Sequence, residues 1–259
     1  MKRKALQSVR FLIAASVALV LLAGLPPLDQ SVKAAAGDRV ACGTHPGATD
    51  TTGDIVFAKL VEFNQLRESR LQQYSVHTTY RVQNNKGETS AETRVLLSYR
   101  APGTKEFRIV SEKGSGIIRS RVFKPLMDME IETASVRNRL DSSITPNNYT
   151  FTLLGEEDVD GSHCFVVQET PKRVNKYLFK GKVWIHAVEF AVVQIAGQPA
   201  RNPSMWVKQV DFVRRYQKIG EFWLPLKNES TTRVRLFGKN TLTTDYERYD
   251  ISQPGVASR

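Results

Sequence analysis

His45, His77, His163 and His186, with Cys42 and Cys164, are the side chains best able to ligate a metal or activate a nucleophile. Their spacing supports neither. No two histidines fall at the helical spacing of a zincin, and two cysteines alone do not complete a structural zinc site. His163 and Cys164 are adjacent in an alternating segment, which sends their side chains to opposite faces of a strand and argues against their forming a catalytic pair. Neither a G-x-S-x-G elbow nor a phosphate-binding P-loop occurs. Gly114-Ser115-Gly116 opens like a dinucleotide fingerprint, but Arg119 stands where the third glycine belongs, so the run reads as a turn. Glu156, Glu157, Asp158 and Asp160 read as a solvated turn, with a bound cation as the other reading. The expectation is therefore a chain with no catalytic residue, no metal and no cofactor. Cys42 and Cys164 form a disulfide candidate in an oxidising compartment, or else stand as two unrelated thiols. Closing a loop of about 120 residues is worth about 4–5 kcal/mol in the chain-entropy account.

The compartment is read from the start of the chain. Lys2, Arg3, Lys4 and Arg10 precede an uncharged, mostly apolar run from Phe11 to Leu25. That run is short for a membrane span, which takes roughly 20 residues. Ala34-Ala35-Ala36 then offers a small-residue cleavage site, so residues 1–36 are expected to be a secretory signal peptide, with an uncleaved anchor as the alternative. That segment carries five Lys/Arg and one Asp, so its removal lowers the net charge from +11 to +7. The remaining length suits one large β-rich domain. Basic residues gather at Lys172, Arg173, Lys176, Lys180 and Lys182, at Arg214, Arg215 and Lys218, and at Arg233, Arg235 and Lys239. On an exported chain these point away from nucleic acid and toward an anionic membrane surface or an acidic partner, or simply to a soluble basic face.

The elements that must position these residues are mainly strands. From Lys176 to Tyr249, short apolar and β-branched runs are punctuated about every ten positions, with Gly181, Gly197, Gly220 and Gly238 placed between runs, so a hairpin meander is expected. Tyr74, Val76, Thr78, Tyr80 and Val82 alternate with polar residues, and Thr93, Val95, Leu97 and Tyr99 continue the pattern. Asp160-Gly161 marks another tight hairpin. Upstream, Ile55, Val56, Lys59, Leu60, Phe63, Leu66 and Leu71 follow a helical period, predicting an amphipathic helix over 53–74. Between Gly114 and Asp141 an apolar cluster interrupted by Pro125 predicts one or two short helices. About ten strands in one sheet must curl or close, because strands twist. The expected fold is mainly β with helices: a curled, unclosed antiparallel barrel, with an N-terminal helix and a helical insertion packing on its open side. Residues 37–52 are expected to be irregular, 53–251 to form the domain, and 252–259 to be a polar tail.

The run GSHCFVVQETPKRVNKYLFKGKVWIHAVEFAVVQIAG, followed by PSMWVKQVDFVRRYQKIGEFWLP, resembles the LolA-like superfamily of outer-membrane lipoprotein-sorting proteins. The likeness lies in strand order and in a Tyr-x-x-x-Gly-x-Phe-Trp-Leu-Pro hairpin, here Tyr216 to Pro225. It implies an apolar cavity that shields acyl chains during passage through the periplasm, with helices as a lid. It further implies a periplasmic carrier or binder of an acylated lipoprotein or lipid. The alternative on the same fold is an envelope-stress sensor or interaction module that engages a membrane protein. Alternation and size nominate Phe63, Val95, Leu97, Phe107, Phe123, Leu126, Met127, Leu178, Trp184, Val193, Ile195 and Trp206 as the acyl-chain lining; ordinary core packing is the other reading of each. The insertion and the two cysteines depart from the simplest carriers of that kind.

Overall fold

The computed structural model describes residues 48–134, 144–175, 177–201, 207–234 and 238–252. The proposed signal segment, Cys42, His45, Lys176, Trp206 and Arg235 lie outside them. Helix α1 (Ala48–Arg70) leads into three hairpin-linked strands, β1 (Gln73–Gln83), β2 (Thr89–Arg100) and β3 (Thr104–Gly114). A helical segment follows: one turn at Gly116–Ile118, a π-helical turn at Arg119–Phe123, and helix α2 (Lys124–Ala134). Seven strands complete the chain: β4 (Tyr149–Val159), β5 (Ser162–Pro171), β6 (Phe179–His186), β7 (Val192–Pro199), β8 (Val207–Ile219), β9 (Phe222–Val234) and β10 (Gly238–Ser252). Among the described residues no helix is long and apolar enough to cross a membrane.

All ten strands belong to one antiparallel sheet in the order β3-β2-β1-β10-β9-β8-β7-β6-β5-β4. β1 pairs with β10, so the first three strands add onto the last. The sheet does not close, and its free edges are β3 and β4. Those edge strands are consecutive in sequence, so the segment joining them must travel from one edge to the other. The helical segment occupies that connection.

Local chemistry explains the element ends. Asp160 and Gly161 both take positive φ, 50° and 79°, the signature of a type I′ hairpin. Ser115 caps the first helical turn by accepting from the Ile118 N–H, so Gly114-Ser115-Gly116 is a strand-to-helix turn. Pro125, second in α2, lacks an N–H and directly follows the π turn closed by Lys124 N–H to the Arg119 carbonyl; it opens the helix. The meander expected from 176 onward is present, but Gly181 and Gly197 are not turn residues. They face each other inside β6 and β7. A Cβ on Gly181 would lie 2.2 Å from the Ala196 carbonyl oxygen, so close strand approach, not turn geometry, requires glycine there.

Both helical elements cover one face, here the inner face, and the core divides between them. Val56, Phe57 and Leu60 of α1 pack with Tyr149, Phe151, Val167, Val183, Ile185, Ile195 and Phe212 of β4–β8. Phe57 stacks on Phe151 with ring centroids 3.8 Å apart. Val122, Phe123, Leu126 and Met127 pack with Tyr80, Val82, Ala91, Val95 and Leu242 of β1, β2 and β10. The α1 stripe differs from the expected one. Gly53, Val56, Phe57 and Leu60 face the sheet, whereas Ile55, Phe63 and Leu66 are exposed. The helix also ends at Arg70, and Tyr74 belongs to β1.

Candidate functional site

Strand register sorts the inner-face side chains into rows. One row runs Val167–Val183–Ile195–Arg214–Asn228–Thr244–Tyr80–Thr93 from β5 to β2. It is aliphatic up to β7 and polar from β8 onward. The neighbouring row contributes Ser230, and Thr78 and Thr232 share the face. Arg214, Asn228, Ser230, Thr232, Thr244, Thr78 and Thr93 are all buried. The inner face is therefore apolar beneath α1, apolar again beneath α2, and polar in a band between.

A hydrogen-bond chain ties this band to α2. Glu130, buried, extends from α2 and accepts from Tyr80 Oη at 3.2 Å and Tyr246 Oη at 3.4 Å. Its second oxygen lies 3.3 Å from Lys105 Nζ on β3. Tyr246 Oη accepts from Asn228 Nδ2 at 3.2 Å, and Asn228 Oδ1 accepts from Arg214 Nε at 2.7 Å. Burial pushes the Tyr80 and Tyr246 hydroxyls well above the usual phenol range, and the Glu130 charge adds to it, so both act as donors to that carboxylate. Arg214 is buried. Burial alone would lower its pKa; Tyr216, Tyr246 and Glu130 outweigh that, and it stays charged. One helix-borne carboxylate thus pairs with Lys105, and a relay through Tyr246 and Asn228 links it to Arg214.

The band is incompletely satisfied. The hydroxyls of Thr78, Thr93, Ser230, Thr232 and Thr244 find no hydrogen-bond partner among the described residues. Each such buried group costs about 1–3 kcal/mol relative to a satisfied one. Valine has nearly the shape of threonine and would fill the same space without that cost. Glu169 is a sharper case, because it is fully buried on the inner face between Phe151 and Gly181. Both its carboxyl oxygens lack a partner among the described residues, and burial drives its pKa well above the carboxylate range.

The far end of α1 is fastened by polar contacts. Arg67 donates from Nη1 to the Glu189 carbonyl at 2.9 Å, and from Nη2 to the Phe190 carbonyl at 2.7 Å. Phe190 sits in the β6–β7 connection at φ 45°, a conformation that a bulky residue adopts only when its surroundings impose it. Phe63, Phe165 and Lys59 surround its ring. Arg70 pairs with Glu221 at 2.8 Å across the helix end, at the β8–β9 turn.

The proposed lining residues divide among these places. Val95, Phe123, Leu126 and Met127 lie in the cluster under α2; Leu97 packs with Val76 and Tyr246, and Phe107 touches both groups. Leu178 and Ile195 lie in the cluster under α1, and Phe63 lies partly exposed at the margin of that helix, against Phe190. Trp184 and Val193 are on the outer face with Cys164 and Val166, and Trp184 Nε1 donates to Glu157 at 2.8 Å. Trp206 and the Cys42 half of the disulfide candidate are outside the described residues, and Cys164 is a buried thiol. Arg214 points inward, so it does not join the surface basic group to which the sequence assigns it.

The remaining reactive residues are dispersed. His163 is exposed between Asp158 and Glu156, at 2.8 and 2.7 Å. His186 Nδ1 accepts from the Val188 and Glu189 N–H groups and so shapes the β6–β7 turn. Among the described residues no cluster of His, Cys, Asp or Glu has the arrangement to hold a metal. Glu130, Tyr246, Asn228 and Arg67 escaped the sequence reading. The run from Val122 to Ile131 carries two acids, Asp128 and Glu130, and nothing in the sequence marks Glu130 as the buried one.

A family model described as "Uncharacterized protein" matches residues 133–253. No curated protein matches the chain. Among solved structures, the chain is similar to a DUF1329 family protein from Desulfovibrio piger at 14% identity, covering 79% of this chain and 95% of that one, with a TM-score of 0.43. It is similar to a domain described as an outer membrane lipoprotein-sorting protein from Vibrio parahaemolyticus at 14% identity, covering 78% and 95%, TM-score 0.40. A LolA superfamily protein from Nitrosomonas europaea matches at 11% identity over 78% and 94%, TM-score 0.37. At these scores the functional reading rests on the chain's own residues.

Proposed function

We propose that this protein binds and carries acyl chains of a lipid or lipoprotein, in the periplasm, on the inner face of its open sheet. The observation that carries the reading is that face itself: two separate apolar surfaces, each covered by a helix supplied from elsewhere in the chain. The α1 cover is held at its C-terminal end by a few reversible polar contacts around Arg67. Lifting a helix exposes apolar strand residues, and an acyl chain replaces the lost contacts at about 0.8 kcal/mol per buried CH₂. Uptake and helix position are then one equilibrium. Native mass spectrometry of gently purified protein tests this. The reading expects a co-purified lipid or acylated peptide, or capture of a synthetic acylated peptide over its unacylated form. Equal binding of the two peptides removes it. A sensor or interaction module is the second reading, favoured by the exposed Ile55 and Leu66 on the outer side of α1; in that case a membrane-protein segment binds and acylation makes no difference.

A further inference from the structure

We propose that Glu169 and the aromatic rings beside it form a subsite for an ammonium head group, so that the ligand is an amphiphile with an amine at the end of its hydrocarbon. The proposal rests on the acyl-chain reading above and specifies the other end of the ligand. Three observations carry it. First, Glu169 is fully buried on the apolar surface that α1 covers, and neither carboxyl oxygen has a hydrogen-bond partner among the described residues. No described contact offsets the cost of placing a carboxyl there, and a leucine would fill the position without it. Second, the groups around it are ring faces and bare backbone. Phe151 stands directly across the ladder on β4. From it a run of rings continues through Tyr149, Phe179 and Phe212, with successive centroids 6.3, 5.7 and 5.4 Å apart. On the other side of Glu169 come Gly181 and Gly197, which carry no side chains. A carboxylate among aromatic faces suits an ammonium, because the charge pairs with it and the ring quadrupoles attract it. The same set repels an anion. Third, the place beside the carboxyl is filled from α1. Phe57 stacks on Phe151 at 3.8 Å with an interplanar angle of 14°. When α1 leaves, as the acyl-chain reading requires, Phe57 leaves with it and the face of Phe151 opens next to Glu169.

Phe57 is thus the resident occupant of the subsite. While α1 is seated, burial pushes the Glu169 pKa well above the carboxylate range and favours the protonated carboxyl. With α1 lifted, water reaches the group, its proton passes to solvent, and an arriving ammonium pairs with the carboxylate as the chain covers the site again. The chain as a whole carries a net positive charge, so a preference for a cation is local to this site. A free amine offers the same chemistry, and the test separates the two. The purified protein, loaded with the neutral fluorescent probe N-phenyl-1-naphthylamine, is titrated near neutral pH with decylammonium, decanol and decanoate, below their micelle-forming concentrations. Decylammonium is expected to displace the probe roughly tenfold more tightly than decanol, as for a hydrogen bond to a charged group. Decanoate is expected to be the weakest of the three. Glu169→Gln and Glu169→Leu are each expected to bring the amine-to-alcohol ratio close to one while decanol still binds. Phe151→Leu is expected to lower that ratio. Methylammonium at millimolar concentration is expected to leave the probe in place. Equal displacement by the three overturns the ammonium subsite and leaves acyl-chain binding standing. A ratio that survives both Glu169 substitutions also overturns it, as does displacement by methylammonium alone, which reassigns the site to a free amine. Displacement by none of the three chains removes the acyl-chain reading itself.

Discussion

Glu169 has no hydrogen-bond partner among the described residues and no exposure, in a neighbourhood of Phe151, Tyr149 and Phe179. Burial raises its folded-state pKa, so the folded protein holds this proton more tightly than the unfolded chain does. Its destabilising effect is smallest below the unfolded carboxyl pKa of about 4.3 and grows as pH rises through the folded value. Glu169→Leu is therefore expected to stabilise the protein by about 1–3 kcal/mol near neutral pH. The gain should shrink at pH 4, and denaturant melts at pH 4 and pH 8 read both. A loss at both pH values would mean that Glu169 has a partner that satisfies it. Such residues were poorly legible in the sequence. Asn228 heads a glycosylation sequon, yet its side chain is buried and bonded to Arg214 and Tyr246. Arg214 and Arg215 read as one basic pair, yet strand alternation sends one to each face. Trp184 sits in the unbroken apolar run Val183-Trp184-Ile185, where alternation carries no information about which face is inside.

At the scale of elements, period and turn chemistry were well read. The type I′ hairpin at Asp160-Gly161, the period-two strands β1 and β2, and the helix before them are all present. The α1 face was misjudged because Ile55 and Leu66 are apolar on the solvent side, with Phe63 at the margin against Phe190, so hydrophobicity alone does not choose the buried face. Gly181 and Gly197 were misjudged because close approach of neighbouring strands depends on a pairing that sequence does not display. What does distinguish the buried stripe of α1 is that it continues into Asn64 and Arg67. Arg67→Ala is expected to free the last two turns of the helix and relax Phe190. Amide hydrogen exchange should rise over residues 61–70, at a stability cost of about 1.5–3 kcal/mol, the range for hydrogen bonds to a charged group. Unchanged exchange there would show that Arg67 does not fasten the helix.

For the whole molecule, ten antiparallel strands that do not close, with helices on one face, were legible from strand number and twist. The order of the strands was not. The β1–β10 pairing joins residues more than 150 positions apart, and it alone places β3 and β4 at opposite edges with the helical segment between them. The account's central claim is that α1 must leave the inner face for a chain to enter. Arg70 and Glu221 mark where the C-terminal end of the helix, two residues before β1, meets the β8–β9 turn, both accessible and 2.8 Å apart at their charged atoms. The direct measurement is uptake of a fluorescent acyl probe by an Arg70→Cys, Glu221→Cys variant in a Cys42→Ser background, joined by a short cleavable crosslinker. The account predicts uptake before crosslinking, none while the bridge is intact, and full recovery on cleavage. Undiminished uptake with the helix held in place would contradict it.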